Sequence, residues 1–412
     1  MDFKGFAQQA IFFDYDLDGD LDLFLLTHSV HSAETYVKAE KRTERDSMAG
    51  DYLFRNEGGK FTDVSELAGI FGAKMGYGLA AVAADFNNNG CPDLYVANDF
   101  HENDYLYLNN CDGTFSESIA SAMGHTSTFS MGVDAADINN DGWLDLMSLD
   151  MKPEIETIRK ASAGDDHYNL QLMKLGFGYH HQFPRNMLQL NLGASRNVIF
   201  EKNDISTLAF AEIGQVAGVA ATDWSWSTLL ADFDNDGWKD IFITNGIWRR
   251  PNDLDYLKFT ADEEVQRFAS DLDLAAKMPS GAAPNYAFRN LGGAFPQFQN
   301  VSKDWGLDLT GCSNGAAYAD FDNDGDLDLA VNNLNATASI FRNNSERVGN
   351  NHFLKVRLEG KDGNKFGFGA RVTVRAGELV QTQELSPVKG WQSSVDLTLH
   401  FGLGKAEQVD VV

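Results

Sequence analysis

Five short acidic segments hold the residues of this sequence whose types and spacing point most clearly to chemistry. Each segment places Asp or Asn at positions one, three, five and nine, with Gly at position six. Oxygen ligands that alternate around a tight glycine turn are how a chain wraps a hard cation such as Ca²⁺. A simple turn needs one or two such residues, not four at fixed spacing in five copies. The predicted side-chain ligands are Asp14, Asp16, Asp18, Asp22, Asp85, Asn87, Asn89, Asp93, Asp137, Asn139, Asp141, Asp145, Asp232, Asp234, Asp236, Asp240, Asp320, Asp322, Asp324 and Asp328.

The carbonyl at position seven is expected to complete each calcium shell. An EF-hand would need a Glu at position twelve and flanking helices, whereas these flanks are strand-like. Calcium loops of extracellular modules have Kd values of about 10⁻⁴–10⁻³ M, which favours a location outside the cell. Because ligand charge tunes affinity, loop 85–93, with only two carboxylates at these positions, is expected to empty first. The position-seven residues are Asp20, Cys91, Trp143, Trp238 and Asp326.

Net charge excludes several classes of partner. The 412 residues include 33 basic and 60 acidic side chains, for a net charge of −27, and nineteen aspartates of the five segments supply most of it. Binding to nucleic acid needs clustered Lys and Arg, and so does adsorption to an anionic membrane. No apolar stretch of about 18 residues is present that could span a bilayer. We therefore expect no nucleic acid partner and no transmembrane segment.

The elements that position these segments are predicted to be short strands. Runs of β-branched, aromatic and small residues stand on both sides of every segment, which makes each one a hairpin connection. A third strand follows in each unit, and usually a fourth. The shortest spacing, 52 residues from Asp85 to Asp137, is close to the ~40–50 residues of a four-stranded propeller blade. Longer units carry insertions at 28–50, 151–185 and 247–284, all between strands two and three, so they should converge on the face opposite the calcium.

The five units resemble the FG-GAP (VCBS) repeats of integrin-α-like β-propellers, in which such loops hold calcium. The tail segments Phe366–Val374, Gly390–Ser394 and Leu399–Gly404 resemble the ASPIC/UnbV domain, which follows FG-GAP repeats in cartilage-acidic-protein-like and bacterial cell-surface proteins. The resemblance implies an all-β fold, with five visible blades of a propeller that we expect to have seven. The predicted domains are a propeller at 1–348, with blades at about 8–70, 76–124, 129–219, 224–309 and 315–345, and a truncated ASPIC/UnbV-like β domain at 349–412.

The opening residues contain no signal-peptide core, and the first blade begins abruptly. We therefore expect a piece of a longer secreted protein whose signal peptide was lost with the missing N-terminus. The three cysteines, Cys91, Cys111 and Cys312, form no CxxC pair and are expected to be thiols. A disulfide between Cys91 and Cys111 is an open but disfavoured alternative.

A search for catalytic motifs finds no HExxH, GxSxG, P-loop or GxGxxG arrangement. His180, His181 and Asp165 could act as acid, base or metal ligand, but no spacing ties them to a mechanism, so packing of an insertion is the favoured interpretation. We predict a non-catalytic, calcium-binding extracellular propeller that binds a protein or polysaccharide through its insertions. The alternative is an extracellular carbohydrate-active enzyme, or an accessory subunit of one, that acts from the same insertions.

Overall fold

The computed structural model describes residues 3–30, 36, 38–163, 167–194, 208–361 and 363–412. These residues form a β-propeller of five antiparallel blades and a small C-terminal β domain, which confirms the predicted all-β fold. The first two blades each have four strands in sequential order. Their elements are β1 (Ala7–Phe13), β2 (Asp22–Thr27), a 3₁₀ turn (Ala39–Thr43), β3 (Tyr52–Glu57), β4 (Lys60–Asp63), β5 (Gly78–Ala84), β6 (Asp93–Asn98), β7 (Tyr105–Asn109) and β8 (Phe115–Glu117).

The third blade is built from β10, β11, β13 and β14, and the short strands β9 and β12 pair beside it in parallel. Two helices lie in its insertion. The elements are α1 (Ile119–Ala122), β9 (Thr126–Ser127), β10 (Val133–Ala136), β11 (Asp145–Ser148), α2 (Glu156–Ala161), α3 (Tyr168–Gly176), β12 (Gln182–Phe183), β13 (Met187–Ala194) and β14 (Leu208–Glu212).

The fourth blade has four strands (β15, β16, β20 and β21), and the fifth has three (β23, β24 and β25). Three helices and short strand pairs fill the intervening connections. The elements are β15 (Ser225–Ala231), β16 (Asp240–Asn245), β17 (Ile247–Arg249), α4 (Leu254–Thr260), α5 (Glu263–Phe268), α6 (Asp271–Lys277), β18 (Ser280–Gly281), β19 (Ala283–Pro284), β20 (Tyr286–Asn290), β21 (Phe298–Asn300), β22 (Thr310–Gly311), β23 (Ser313–Ala319), β24 (Asp328–Asn333) and β25 (Ser339–Phe341).

The first strand of each blade lies innermost and contacts the first strand of the next blade. Such close packing suits small side chains: β5 is Gly-Leu-Ala-Ala-Val-Ala-Ala and is buried along its whole length. Larger apolar residues, such as Phe24, Tyr95 and Phe242, fill the space between blades and are fully buried. The blades of the propeller therefore pack sheet against sheet, with apolar side chains between successive blades.

The C-terminal domain pairs its first strand with its last and adds two hairpins. It packs around a core that includes Val374, Leu385 and Phe401. Its elements are a preceding 3₁₀ turn (Ser345–Arg347), β26 (His352–Arg357), β27 (Arg371–Ala376), β28 (Leu379–Glu384), β29 (Val388–Lys389), β30 (Ser393–Ser394) and β31 (Thr398–Gly404).

Candidate metal centre

The five acidic loops, at 14–22, 85–93, 137–145, 232–240 and 320–328, close the hairpins between the first and second strands of each blade. In every blade, the last residue of the first strand pairs with the aspartate at position nine, as Phe13 pairs with Asp22. The hairpin prediction is confirmed in all five copies. Position nine is therefore also the first residue of a strand, not only a loop residue.

One backbone conformation recurs in all five loops, with positive φ at positions four and six. Glycine occupies position six, where φ lies between 85° and 97°. Asn, which tolerates the left-handed region better than most residues, occupies position four in four loops. The φ values at position four are 59° (Leu17), 56° (Asn88), 58° (Asn140), 58° (Asn235) and 62° (Asn323).

The carboxylate at position one fixes this turn. In each loop its Oδ2 accepts a hydrogen bond from the glycine N–H at position six, at 2.8–3.1 Å. In the three middle loops its Oδ1 also accepts the N–H at position five, at 3.1 Å. Because these hydrogen bonds fix the turn, the loop backbone surrounds the position at which the other side-chain oxygens of the loop come together.

The carboxylate at position nine has a structural role that the sequence did not reveal. One of its oxygens accepts the N–H at position two and the other accepts an N–H of the third strand, as for Asp22 with Tyr15 (3.1 Å) and Asn56 (2.8 Å). The same two bonds recur in all five blades. Burial raises the pKa of Asp22 to about 7 and that of Asp93 to about 8. These buried charges therefore need compensation from nearby donors or a cation.

Three loops bring three carboxylates close enough to share one ion. In each group the ligand oxygens lie within 4.8 Å of one another: Asp14, Asp16 and Asp18; Asp232, Asp234 and Asp240; Asp320, Asp322 and Asp328. Among the described residues, loops 85–93 and 137–145 form no cluster of three carboxylates, because Asn87, Asn89 and Asn139 stand at ligand positions. The amide of Asn139 instead donates to Asp141 at 2.8 Å.

Some buried carboxylate oxygens in the first and fifth loops lack a hydrogen-bond partner, and they indicate whether a cation would fit in these loops. Asp14 Oδ1, Asp16 Oδ1 and Asp320 Oδ1 are buried and find no hydrogen-bond partner in the part of the chain that the structure describes. Burial, together with the neighbouring aspartates, raises the pKa of Asp14 and Asp16. An all-oxygen donor set with buried, unsatisfied carboxylates fits Ca²⁺.

Basic side chains already reach two of the loops. Arg289 contacts Asp234 at 2.7 Å and Asp236 at 2.8 Å in the fourth loop. In the fifth loop, Arg342 bridges two aspartates at 2.7 and 2.9 Å, and Lys355 pairs with the position-one carboxylate. The charge of a loop therefore depends on the third strand and the C-terminal domain as well as on its own residues.

An asparagine in or just after the third strand of each blade has a structural role that the sequence did not reveal. Its amide donates to the carbonyl at position eight of its own loop and, in blades two to five, to the position-two carbonyl of the preceding loop. For Asn290 these bonds are 3.0 Å to Lys239 and 2.8 Å to Ile138. The recurring Asn after Tyr-Leu-Phe-Arg and related strands was the available signal. The five residues are Asn56, Asn109, Asn191, Asn290 and Asn343.

The C-terminal domain contacts every acidic loop. Asn364 N–H donates to Gly19 at 2.9 Å, and Gly404 N–H donates to Asn235 at 2.9 Å. Glu384 accepts the N–H of Asp85 at 3.2 Å. The loop 137–145 is contacted by Arg371, which donates to the Gly142 carbonyl, and the loop 320–328 by Lys355. The loop face of the propeller is therefore covered by the chain's own second domain.

A disulfide fixes the second loop, so the expectation of free thiols at Cys91 and Cys111 is wrong. The two Cα atoms lie 5.8 Å apart, and the sulfurs are bonded. Cys91 stands at position seven of the loop, and Cys111 in the turn after β7, so strand pairing brings them together across 20 residues. Cys312 is a buried free thiol, as expected.

The three insertions meet on the opposite side of the propeller, as predicted. Arg42 of the first insertion pairs with Glu102 at 2.6 Å and donates to the Gly178 carbonyl of the second at 3.3 Å. The second insertion contacts the third where Ala163 N–H donates to Asn252 at 2.7 Å. We call the surface formed by the described residues of 28–50, 151–185 and 247–284 the insertion face.

Of the histidines that were considered as catalytic groups, His180 is half-buried in the second insertion and His181 is exposed. His180 Nε2 lies 3.0 Å from the Met123 carbonyl, and the backbone N–H of His180 donates to Asn103 Oδ1 at 2.8 Å. Burial lowers the pKa of His180. The ring of His181 lies 6.1 Å from that of His180. Asp165 lies outside the described residues.

Two family models match separate parts of this chain. The model of the FG-GAP-like repeat matches residues 14–96 and 85–148, and the model of the ASPIC and UnbV domain matches residues 360–412. Cartilage acidic protein 1 of Xenopus tropicalis is 25% identical over 328 residues, which cover 78% of this chain and 39% of that protein. The Homo sapiens protein of that name is 24% identical over 356 residues, 85% of this chain and 42% of its own length. The chain thus spans about two fifths of these relatives.

Among solved structures, the V. cholerae biofilm matrix protein Bap1 aligns with 97% of this chain and 53% of its own, at 11% identity and a TM-score of 0.33. In the described part of the chain, every helix is too short or too polar to cross a membrane. The family models thus assign FG-GAP-like repeats to residues 14–148 and an ASPIC and UnbV domain to residues 360–412.

Proposed function

We propose that this chain is a non-catalytic binding module of the extracellular space that holds Ca²⁺ in its acidic loops and binds a protein or polysaccharide through the insertion face. The observation that carries the proposal is the set of large apolar side chains exposed there. Trp248 is 51% exposed, and Phe268 and Leu272 are each 82% exposed. All three belong to the third insertion, and exposed apolar side chains on one segment make it a candidate binding surface.

The face of the propeller that carries the acidic loops is a weaker candidate for ligand binding, because the C-terminal domain already occupies it. The C-terminal domain makes at least one hydrogen bond or ion pair to each acidic loop, and its Lys389 pairs with the buried Asp134 at 2.6 Å near the propeller axis. A partner would have to displace these contacts. Loops held by a rigid scaffold are frequent sites of function, and the insertions meet that description.

Calcium has a structural role in this proposal. Clusters of buried carboxylates repel one another, so an ion that binds only the folded chain stabilises it. The loops lie at the hairpin ends that position the strands, and the strands in turn position the insertions. We therefore infer that calcium supports ligand binding from a distance and does not touch the ligand.

An extracellular location is supported by two independent features. The disulfide between Cys91 and Cys111 is of the kind that persists in oxidising compartments. Loops of this class fill where calcium is abundant. The names of the relatives, which describe an acidic protein of cartilage, agree with this placement.

The absence of catalysis is proposed from the environment of the candidate histidines. The His180 ring is committed to the Met123 carbonyl, and burial lowers its pKa, which suits a packing role. Incubation with extracellular polysaccharides tests this directly. Release of reducing ends that is lost in His180→Ala would establish the carbohydrate-active alternative.

The binding proposal is tested on arrays of immobilised matrix proteins and polysaccharides, probed with the full chain in calcium. The double variant Trp248→Ala/Phe268→Ala should lose at least tenfold in affinity for any ligand found. Ile340→Ala, which truncates a residue that is 66% exposed on the outer strand of blade five, is the matched control. Equal binding by the double variant, or loss only in the control, would overturn the insertion face as the contact surface.

A further inference from the structure

A second carboxylate cluster lies beside the fifth loop and includes residues outside the repeated ligand positions. It consists of Asp324, Asp326 and Glu346, whose ligand oxygens lie within 4.8 Å of one another. Asp326 stands at position seven, where only the carbonyl is expected to bind calcium, and its side chain is fully buried. Glu346 comes from the 3₁₀ turn Ser345–Arg347, beyond the blade.

Each of the three acids has one oxygen satisfied by the protein. Asp324 Oδ2 accepts from Arg342 at 2.9 Å, and Glu346 Oε1 accepts from Arg347 at 2.7 Å. Asp326 Oδ2 accepts the Ser345 hydroxyl at 3.1 Å and the Glu346 N–H at 3.3 Å. These bonds hold the three side chains in place around a common centre.

The other oxygen of each acid is buried without a donor. Asp324 Oδ1, Asp326 Oδ1 and Glu346 Oε2 find no hydrogen-bond partner within the described residues. A buried carboxylate oxygen that has lost water and gained no donor costs free energy. Three such oxygens on neighbouring acids point to a positively charged ligand.

We propose that Asp324, Asp326 and Glu346 bind a second divalent cation, of the Ca²⁺ class, next to the fifth loop. Calcium–oxygen distances of about 2.3–2.6 Å place two ligands on opposite sides of the ion about 5 Å apart at most, which the cluster satisfies. A cleft of about 640 Å³ is lined by Arg342 and Ser345, the hydrogen-bond partners of Asp324 and Asp326, so it lies next to the cluster.

Among the described residues, no other blade has a carboxylate cluster that includes position seven. At position seven the middle three loops have Cys91, Trp143 and Trp238, none of which is acidic. The first loop has Asp20, but Gly59 stands where the fifth blade has Glu346, three residues after the conserved position of the third-strand asparagine. Since Glu346 belongs to the connection into the C-terminal domain, the ion fastens that connection to the propeller.

Calcium stoichiometry of the full chain tests the site. In equilibrium dialysis against calcium alone, Glu346→Gln and Asp326→Asn should each bind one equivalent fewer than the wild type, and the double variant should lose no more than that same equivalent. Glu407→Gln removes one charge from an exposed glutamate of the same chain and should bind the wild-type number. Equal stoichiometry in Glu346→Gln and Glu407→Gln would overturn the site.

A loop variant separates this proposal from calcium binding by the acidic loops. Asp322 belongs to the ligand cluster of loop 320–328 and not to the second one. If Asp322→Asn loses an equivalent and Glu346→Gln does not, only the second site fails. Melting in chelator provides a further check: Glu346→Gln should melt no lower than the wild type there, yet gain less from added calcium. A Glu346→Gln defect of the same size in chelator and in calcium contradicts the proposal, since it marks a purely structural contact.

Discussion

The first and the fifth acidic loops have the same five aspartates at the same positions, but their surroundings differ. Within the described ranges, no Lys or Arg forms an ion pair with the aspartates of loop 14–22. Arg55 of the third strand pairs with Glu57 and acts on Asp16 only through space. The aspartates of loop 320–328 receive both Arg342 and Lys355. Identical motifs therefore give sites of different charge.

The contrast extends to how each loop meets the C-terminal domain. The first loop is contacted through its backbone, where Asn364 N–H donates to Gly19. The fifth loop lies under Phe353, whose ring occupies the space that a side chain at Gly325 would need, and φ at Gly325 is +97°. We therefore expect the ligand motif to define where an ion can bind and the packed neighbours to set how strongly it is held.

The largest effect should come from removing calcium altogether. An ion present at a hundred times its Kd stabilises the fold by about 2.7 kcal/mol per site. Several sites together should shift the melting temperature by on the order of 10 °C or more. Melting is followed by circular dichroism with and without chelator, and restored calcium must reverse the shift. Indifference to chelator at low ionic strength is incompatible with structural calcium.

The second largest effect should be a difference in how the stability of the calcium-free and the calcium-loaded protein depends on pH. The folded-state pKa values of Asp22 and Asp93 are about 7 and 8 because of burial. Folding therefore favours their protonated forms, and the stability that protonation provides is lost as the pH rises through 7 to 8. In chelator, the melting temperature at pH 6 should exceed that at pH 8.5 by several degrees. In calcium the difference should shrink or reverse, since the ion holds the carboxylates ionised.

The two loops themselves are compared by removing the same ligand from each. Asp14→Ala should weaken a calcium-binding step by about tenfold, roughly 1.4 kcal/mol. Asp320→Ala should weaken its step less, because Lys355 already offsets part of the charge of that carboxylate. Isothermal titration of both variants with calcium provides the measurement. An equal or greater loss in Asp320→Ala would show that the basic neighbours do not lower the affinity of the fifth loop.

A smaller effect should follow when the lysine itself is removed. Lys355→Met frees Asp320 from its ion pair, so the fifth loop should bind calcium roughly threefold more tightly, in line with the ~1 kcal/mol range of partly exposed pairs. Lys361→Met, at an exposed lysine of the same domain, is the control for net charge. Weaker binding in Lys355→Met would mean that the ammonium group positions the carboxylate for the ion instead of competing with it.

Local sequence predicted the parts of this molecule that local interactions determine. The spacing of Asp, Asn and Gly placed all five hairpins, because the left-handed turns at positions four and six and the bond from position six to position one all lie within one loop. Short runs of β-branched, aromatic and small residues placed the strands, and the position of every insertion between strands two and three predicted a shared face. These features depend on contacts within a few residues or within one sheet.

The features that the sequence did not predict depend on contacts between distant parts of the chain. The bond from Asn290 to Ile138 joins two blades across 152 residues, and no spacing within a repeat contains that information. Likewise, the disulfide at Cys91 follows from strand pairing, and the second cluster follows from the docking of Glu346 onto the fifth loop.

The smallest effect of removing a ligand should arise at loop 85–93, where low charge and high rigidity change the calcium affinity in opposite directions. Two carboxylates and one Ca²⁺ neutralise this loop, so the charge count predicts the weakest site and a small change in Asp85→Ala. The disulfide at Cys91 restrains the same loop, however, and rigidity raises affinity. If Asp85→Ala removes the tightest titration step, rigidity sets the order. In that case Cys91→Ser/Cys111→Ser should weaken the same step and leave the others unchanged, because only this loop carries the crosslink among the described residues.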